Sequence, residues 1–110
     1  MAVNAPFTPS GNTVTFTAAT TAPAAVQAVS TTLGGNQYRI LNAGSVTAFL
    51  GVGTTAAAAN SAAAVVTSSG AAIPLLAGTD EIITFLPNAY FTASTGSSTA
   101  VIYITPGDGS

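Results

Sequence analysis

Four side chains of this 110-residue chain carry a formal charge: Arg39, Asp80, Glu81 and Asp108. Asp80 and Glu81 are adjacent, and they are the one candidate pair of carboxylates for general acid and base work on a shared bond. Neighbouring residues of a strand point to opposite faces, so these two read as charges at the start of a strand. A calcium loop would need six or more oxygen ligands in a patterned run, and the sequence has none. Serines and threonines abound, but a hydroxyl nucleophile needs a base, and the chain has no histidine. The stretch GVGTT (Gly51 to Thr55) has the glycines of a phosphate loop without the lysine or the strand-to-helix setting. Without cysteine or histidine there are no disulfides, no thiolate metal sites and no ordinary zinc chemistry. The sequence therefore predicts a protein that is not an enzyme and takes no cofactor or metal.

Arg39 is the single basic residue. It predicts a pairing with Asp80, Glu81 or Asp108 inside one subunit, or equally with a carboxylate on a partner, where it would set register. One cation cannot neutralise a phosphate backbone, so nucleic acid is excluded as a partner. Arg39 is thus a candidate interface residue, and its role there would be specificity more than strength.

The scarcity of charge extends to the whole surface. Charged residues make up 4% of the chain, against about 25% in an ordinary soluble domain. Size scaling gives a folded surface of roughly 5,500 Å² for a chain of this mass. That is roughly one charge per 1,400 Å², while one side of a standard interface covers about 800 Å². A patch of that size could leave water with almost no ion to desolvate. The net charge of −2 offers little repulsion between copies. A surface meant to be covered by partners fits better than a lone soluble domain. The mean hydropathy of +0.58 comes from alanine, and no run reaches the ~18 apolar residues of a spanning helix. No membrane partner is expected. The first residues, MAVNAPFTPSGN, lack the basic start and apolar core of a secretory signal, so retention in the cytoplasm of the producing cell is expected.

The elements follow from alternation and turn residues. Residues 1–12 read as an extended N-terminal arm, with Pro6 and Pro9 excluding regular helix. Val3 and Phe7 are the apolar residues such an arm would press onto a neighbour, and both are candidate interface residues. TVTFT (Thr13 to Thr17) alternates as a half-buried strand, with Val14 and Phe16 on one face. AVQAVS (Ala25 to Ser30) is a weaker strand. Asn36 to Asn42 puts Tyr38 and Ile40 on one face and Gln37, Arg39 and Leu41 on the other. NAGS reads as a tight reversal into Val46 to Val52, making a β-hairpin. Gly51 and Gly53 weaken or bulge its far end. Ala56 to Val66 is open between helix and loop; without an amphipathic stripe it leans to a long loop with a helical turn at most. Asp80 to Leu86, Ala89 to Thr95 and Thr99 to Pro106 are further strands, the last with Ala100, Ile102 and Ile104 opposite Val101 and Tyr103. TGSS (Thr95 to Ser98) reads as a hairpin turn. These strands are apolar on both faces, so part of the sheet is expected to be covered on both sides, by the core and by a subunit.

The fold predicted is all-β, a small antiparallel β-sandwich, jelly-roll or Greek-key-like, of about seven or eight short strands. Residues 13–106 form this one domain, and 107–110 a flexible tail.

Three stretches carry a resemblance. YRILNAGSVTAFLGVGT (Tyr38 to Thr54), IPLLAGTDEIITF (Ile73 to Phe85) and AVIYITPGDG (Ala100 to Gly109) resemble small virion structural proteins of tailed bacteriophages. The likeness spans roughly Gln37 to Gly109 and consists of turn chemistry and strand pattern. It implies a capsid decoration or cement protein that binds the outside of a phage head and stabilises it. The implied partners are the major capsid protein and the chain itself, as a homodimer or homotrimer. The implied place is the capsid surface of the virion, assembled in the host cytoplasm. A tail, head-fibre or connector component is the nearest alternative. A soluble carbohydrate-binding β module is the second; the chain has no tryptophan and three tyrosines, Tyr38, Tyr90 and Tyr103. A fimbrial or surface-layer subunit is disfavoured by the missing export signal.

Overall fold

Alternating apolar and polar residues at period two make strands with one wet and one dry face. In the computed structural model, which describes residues 8–9, 11–29, 37–64 and 70–108, they build nine strands and one helix. The strands are β1 (Thr8–Pro9), β2 (Val14–Ala18), β3 (Val26–Gln27), β4 (Gln37–Asn42), β5 (Ala48–Gly53), β6 (Ile73–Leu75), β7 (Asp80–Thr84), β8 (Tyr90–Thr95) and β9 (Ala100–Asp108). The helix α1 (Ala56–Ala62) lies between β5 and β6.

Two antiparallel sheets result. The first runs β1-β9-β4-β7, with β2 also on the outer edge of β9, and the second runs β3-β8-β5-β6. The pairs β2 with β9, β3 with β8, β4 with β7 and β5 with β6 form one long antiparallel ribbon. The ribbon is folded over so that β9 also pairs with β4, and β8 with β5. That is the connectivity of a jelly roll. The accessible surface is 5610 Å².

The core fills the space between the sheets. Phe16, Ile102, Ile104, Tyr38 and Ile40 from the first sheet meet Leu50, Leu75 and Phe91 from the second. Alanines 18, 48, 93 and 100 fill between them. Each large apolar side chain buried this way contributes about 1.5–3 kcal/mol. Tyr38 brings a polar tip into this space and satisfies it. Its ring stands edge-on to Phe91, centroids 4.8 Å apart. Its hydroxyl donates to the Leu86 carbonyl and accepts from Ala89 N–H at 3.1 Å. One side chain of β4 thereby holds the corner where the chain leaves β7 for β8.

The expected hairpin between residues 36–42 and 46–52 does not form. β4 lies in the first sheet and β5 in the second, so NAGS is a corner between layers. Asn42, fully buried, holds this corner. Its Nδ2 donates to the carbonyls of Val46 (3.0 Å) and Leu75 (2.9 Å), and its Oδ1 accepts from Gly44 N–H at 2.9 Å. Gly44 in turn sits where a Cβ would lie 2.5 Å from that of Ala100. The TGSS stretch, expected as a hairpin turn, is a second corner, from β8 to β9. There Thr95 Oγ1 donates to Ser98 O at 2.7 Å, and Ser98 takes a left-handed φ of 62°.

Residues 56–62 are helix, where the sequence leaned to loop. Thr55 caps it, its hydroxyl accepting from Ala58 N–H at 3.1 Å. The stripe it lacked in sequence is made of alanine: Ala59 and Ala63, one turn apart, are the buried pair. They lie directly on the backbone of β5. A Cβ on Gly51 would stand 2.2 Å from the Ala59 carbonyl oxygen, so the glycines read as weak points in β5 are the seat of the helix. At the chain ends, β9 runs on to Asp108, two residues into the expected tail, because Thr8 and Pro9 of the arm pair with Asp108 and Gly107. β3 keeps only two residues of the expected Ala25–Ser30 strand, with Ala28 N–H bonded to Ala89 O at 3.0 Å.

Two outcomes are expected in urea unfolding. Asn42→Ala leaves one buried carbonyl, one half-buried carbonyl and one half-buried amide unpaired and should cost about 2–3 kcal/mol; a loss below about 1 kcal/mol would assign the corner to its backbone bonds. Tyr38→Phe should cost about 1–3 kcal/mol. Burial raises the Tyr38 phenol above its ordinary value, with the bonds to the 88–89 backbone opposing. Its contribution is therefore complete below about pH 10 and is lost as pH climbs through the raised value. The Phe variant should lack that alkaline loss.

Candidate functional site

The two outer faces of the sandwich are treated differently. On the second sheet the outward positions of β5 and β8 lie under α1 and the 20–25 segment. Thr92 Oγ1 and Asn60 Nδ2 both donate to the Pro23 carbonyl, at 2.7 and 3.0 Å. Thr92 and Ser94 are buried in consequence.

The outer face of the first sheet has no such cover among the described residues. Cross-strand partners share a face, so the register fixes its members. Thr15, Tyr103, Leu41 and Asp80 form one row across β2, β9, β4 and β7. Thr105, Arg39 and Ile82 form the next, with Thr13 reaching Thr105, hydroxyl to hydroxyl at 2.7 Å. Thr17 and Val101 lie on one flank, Gln37 and Thr84 on the other. Tyr103 is 40% exposed, Leu41 37% and Ile82 44%. Large apolar side chains in the middle of a wet face are what a docking surface presents.

Arg39 and Asp80 neutralise one another on this face. The guanidinium grips the carboxylate through two nitrogens, Nε at 3.0 Å from each oxygen and Nη2 on Oδ2. The Arg39 hydrogen bond, more than plain attraction, holds the Asp80 carboxyl below its ordinary value, against a smaller burial effect. Asp80 likewise raises Arg39. The pair bridges β4 and β7 diagonally, so the face has one charge of each sign and none unpaired. Glu81 stands opposite Ile40 in the register, on the other face from Asp80, as adjacent strand residues must.

Arg39, expected at an interface or in an internal pair, is in the internal pair and on the uncovered face. Val3 and Phe7 lie outside the described residues. Leu41, Ile82 and Tyr103 were not singled out by the sequence. The orientation of Leu41 and Tyr103 was visible in the alternation of β4 and β9, while Ile82 lies on β7; their being neighbours depends on strand pairings between residues as far apart as 41, 82 and 103. The helix is seven residues long, and no helix among the described residues is long and apolar enough to cross a membrane.

Carbon-detected titration should place the Asp80 midpoint below the ordinary carboxylate range near 3.9. Arg39→Gln should return it upward, and an unchanged midpoint would mean the pair does not persist in solution.

No family model, no curated protein and no solved structure matches this chain.

Proposed function

We propose that the chain is a structural assembly protein of a tailed-phage particle, a decoration protein that lies on the outside of the head and stabilises it. The observation that carries this reading is the uncovered outer face of the first sheet: apolar at its centre, rimmed by threonine, neutral in sum. Burying such a face removes apolar area from water, at about 25 cal/mol per Å² before association costs, and strands no charge. The likeness of residues 37–109 to small virion proteins supports the same reading. So does the jelly roll, an architecture common in capsid proteins, although it also serves lectins and cupins and does not fix a function. Its partner in this reading is the major capsid protein, and its place is the capsid surface.

The carbohydrate-binding reading has Tyr103 as its support, the one aromatic among the exposed large hydrophobic residues of the described chain. A single aromatic platform with no charged or metal-bound partner gives a sugar little to orient it.

The test is the copy number of this chain relative to the major shell subunit, by quantitative mass spectrometry of purified particles. Copies on the scale of the shell subunits are expected. A small number confined to one vertex or the tail would make it a portal, fibre or tail part. Its absence from particles would overturn the reading.

A further inference from the structure

The uncovered face is self-complementary, and we infer that it packs against the same face of a second copy about a two-fold axis. Four residues on the β4–β7 side of the face carry the contact. Leu41 stands beside Asp80, and Arg39 beside Ile82, on neighbouring strands and in consecutive rows. The opposite charges occupy one diagonal of this rectangle and the two aliphatic side chains the other. An axis lying along the aliphatic diagonal leaves Leu41 over Leu41 and Ile82 over Ile82 of the second copy. The same rotation brings each Arg39 to within ~3 Å of the position above the other copy's Asp80, inside the reach of a long side chain. Each guanidinium, which already holds one carboxylate through two nitrogens, then sits between two. A surface whose charges are exchanged by a two-fold in this way meets its own copy without a like-charge clash, the requirement of an isologous contact.

The surroundings fit the same arrangement. Arg39 and Asp80 are 56% and 37% exposed, so both have room for a second partner. Four strands about 4.8 Å apart and roughly 20 Å long cover a plane of roughly 400 Å². The axis lies on the β4–β7 side of the face, so only part of that plane is shared and the contact stays below the ~1,200–2,000 Å² of stable interfaces, as suits a concentration-dependent dimer. The other sheet cannot offer an equivalent surface, because α1 and the 20–25 segment already lie on it. A second copy and a shell subunit would compete for this face, so the dimer is the state of the free chain.

The test is sedimentation of the purified chain over a concentration series, with two charge reversals. The wild type is expected to be a dimer at the higher concentrations. Arg39→Asp gives the face two acids and Asp80→Arg gives it two bases; each alone should weaken dimerisation by more than about tenfold. Mixed one to one, the two variants should recover a dimer, since the acidic face of one meets the basic face of the other. An internal pairing cannot produce that recovery, because each variant still lacks its own ion pair. Circular dichroism of both variants checks that the sandwich is folded; if either is not, Leu41→Lys in the wild-type charge background should give a folded monomer. A wild type that stays monomeric, a trimer, or a dimer indifferent to these changes would overturn the proposal. Because no shell is present, its failure leaves the capsid reading standing, and absence of the chain from particles would leave the dimer standing.

Discussion

A single buried amide, Asn42, sets how the two layers of this protein meet. Strands that change sheets must turn through the core's rim, where backbone groups lose both their ladder partners and water. Asn42 supplies what the corner lacks. Its side chain closes the turn on Gly44 and ties it to Val46, then reaches the last residue of β6. Its own backbone bonds with residues 78 and 79 across the β6–β7 turn, and Ala43 N–H bonds to Val101 O. Three stretches of chain, 42–46, 75–79 and the start of β9, therefore converge on one side chain and its neighbours. Tyr38, four residues earlier, does similar work for the corner between β7 and β8. Both are polar residues at inward positions of the same strand, where an apolar residue would have left the corners unbonded.

The period-two pattern revealed more than the connectivity did. The inward faces of β2, β4 and β9 were plain in TVTFT, in Tyr38 with Ile40, and in Ala100, Ile102 and Ile104, because local alternation reports burial directly. NAGS and TGSS were legible as reversals. That they change layers was not legible, since a corner and a hairpin turn use the same Asn, Gly and Ser chemistry. What distinguishes them is whether the flanking strands find each other or find β7, β8 and β9, a matter of distant partners. The helix was missed for a related reason. An alanine stripe has no contrast with alanine neighbours, and the complementary signal lay earlier, in the glycines at 51 and 53.

The same uneven legibility applies to the candidate face. The sparse charge pointed to a surface that can be covered, and the single arginine drew attention on its own. Their placement beside Leu41 and Ile82 comes from the pairing of β4 with β7, forty residues apart in sequence. The composition sets what kind of surface is available, while the register decides where it is continuous. Here the register sets threonines along both flanks, Thr15 and Thr17 on β2 and Thr84 on β7, and pairs off the charges beside Leu41 and Ile82.

The folded ribbon has a consequence for the order in which the molecule can form. β9 is the last of the nine strands to leave the ribosome, yet it is an interior strand of its sheet, flanked by β1 and β2 on one side and β4 on the other. Until it arrives, β2 has no ladder partner in that sheet, and β4 and β7 are an isolated pair. Closing it joins Val14 to Ile104, nearly the full span of the chain, so the entropy of a long loop is lost late and at one step. The second sheet, whose strands all precede β9, can form earlier, but the first cannot close until β9 is made. The first sheet waits with an open, apolar gap for its final strand, and in that interval β2 and β4 would accept the equivalent strand of another chain as readily as their own.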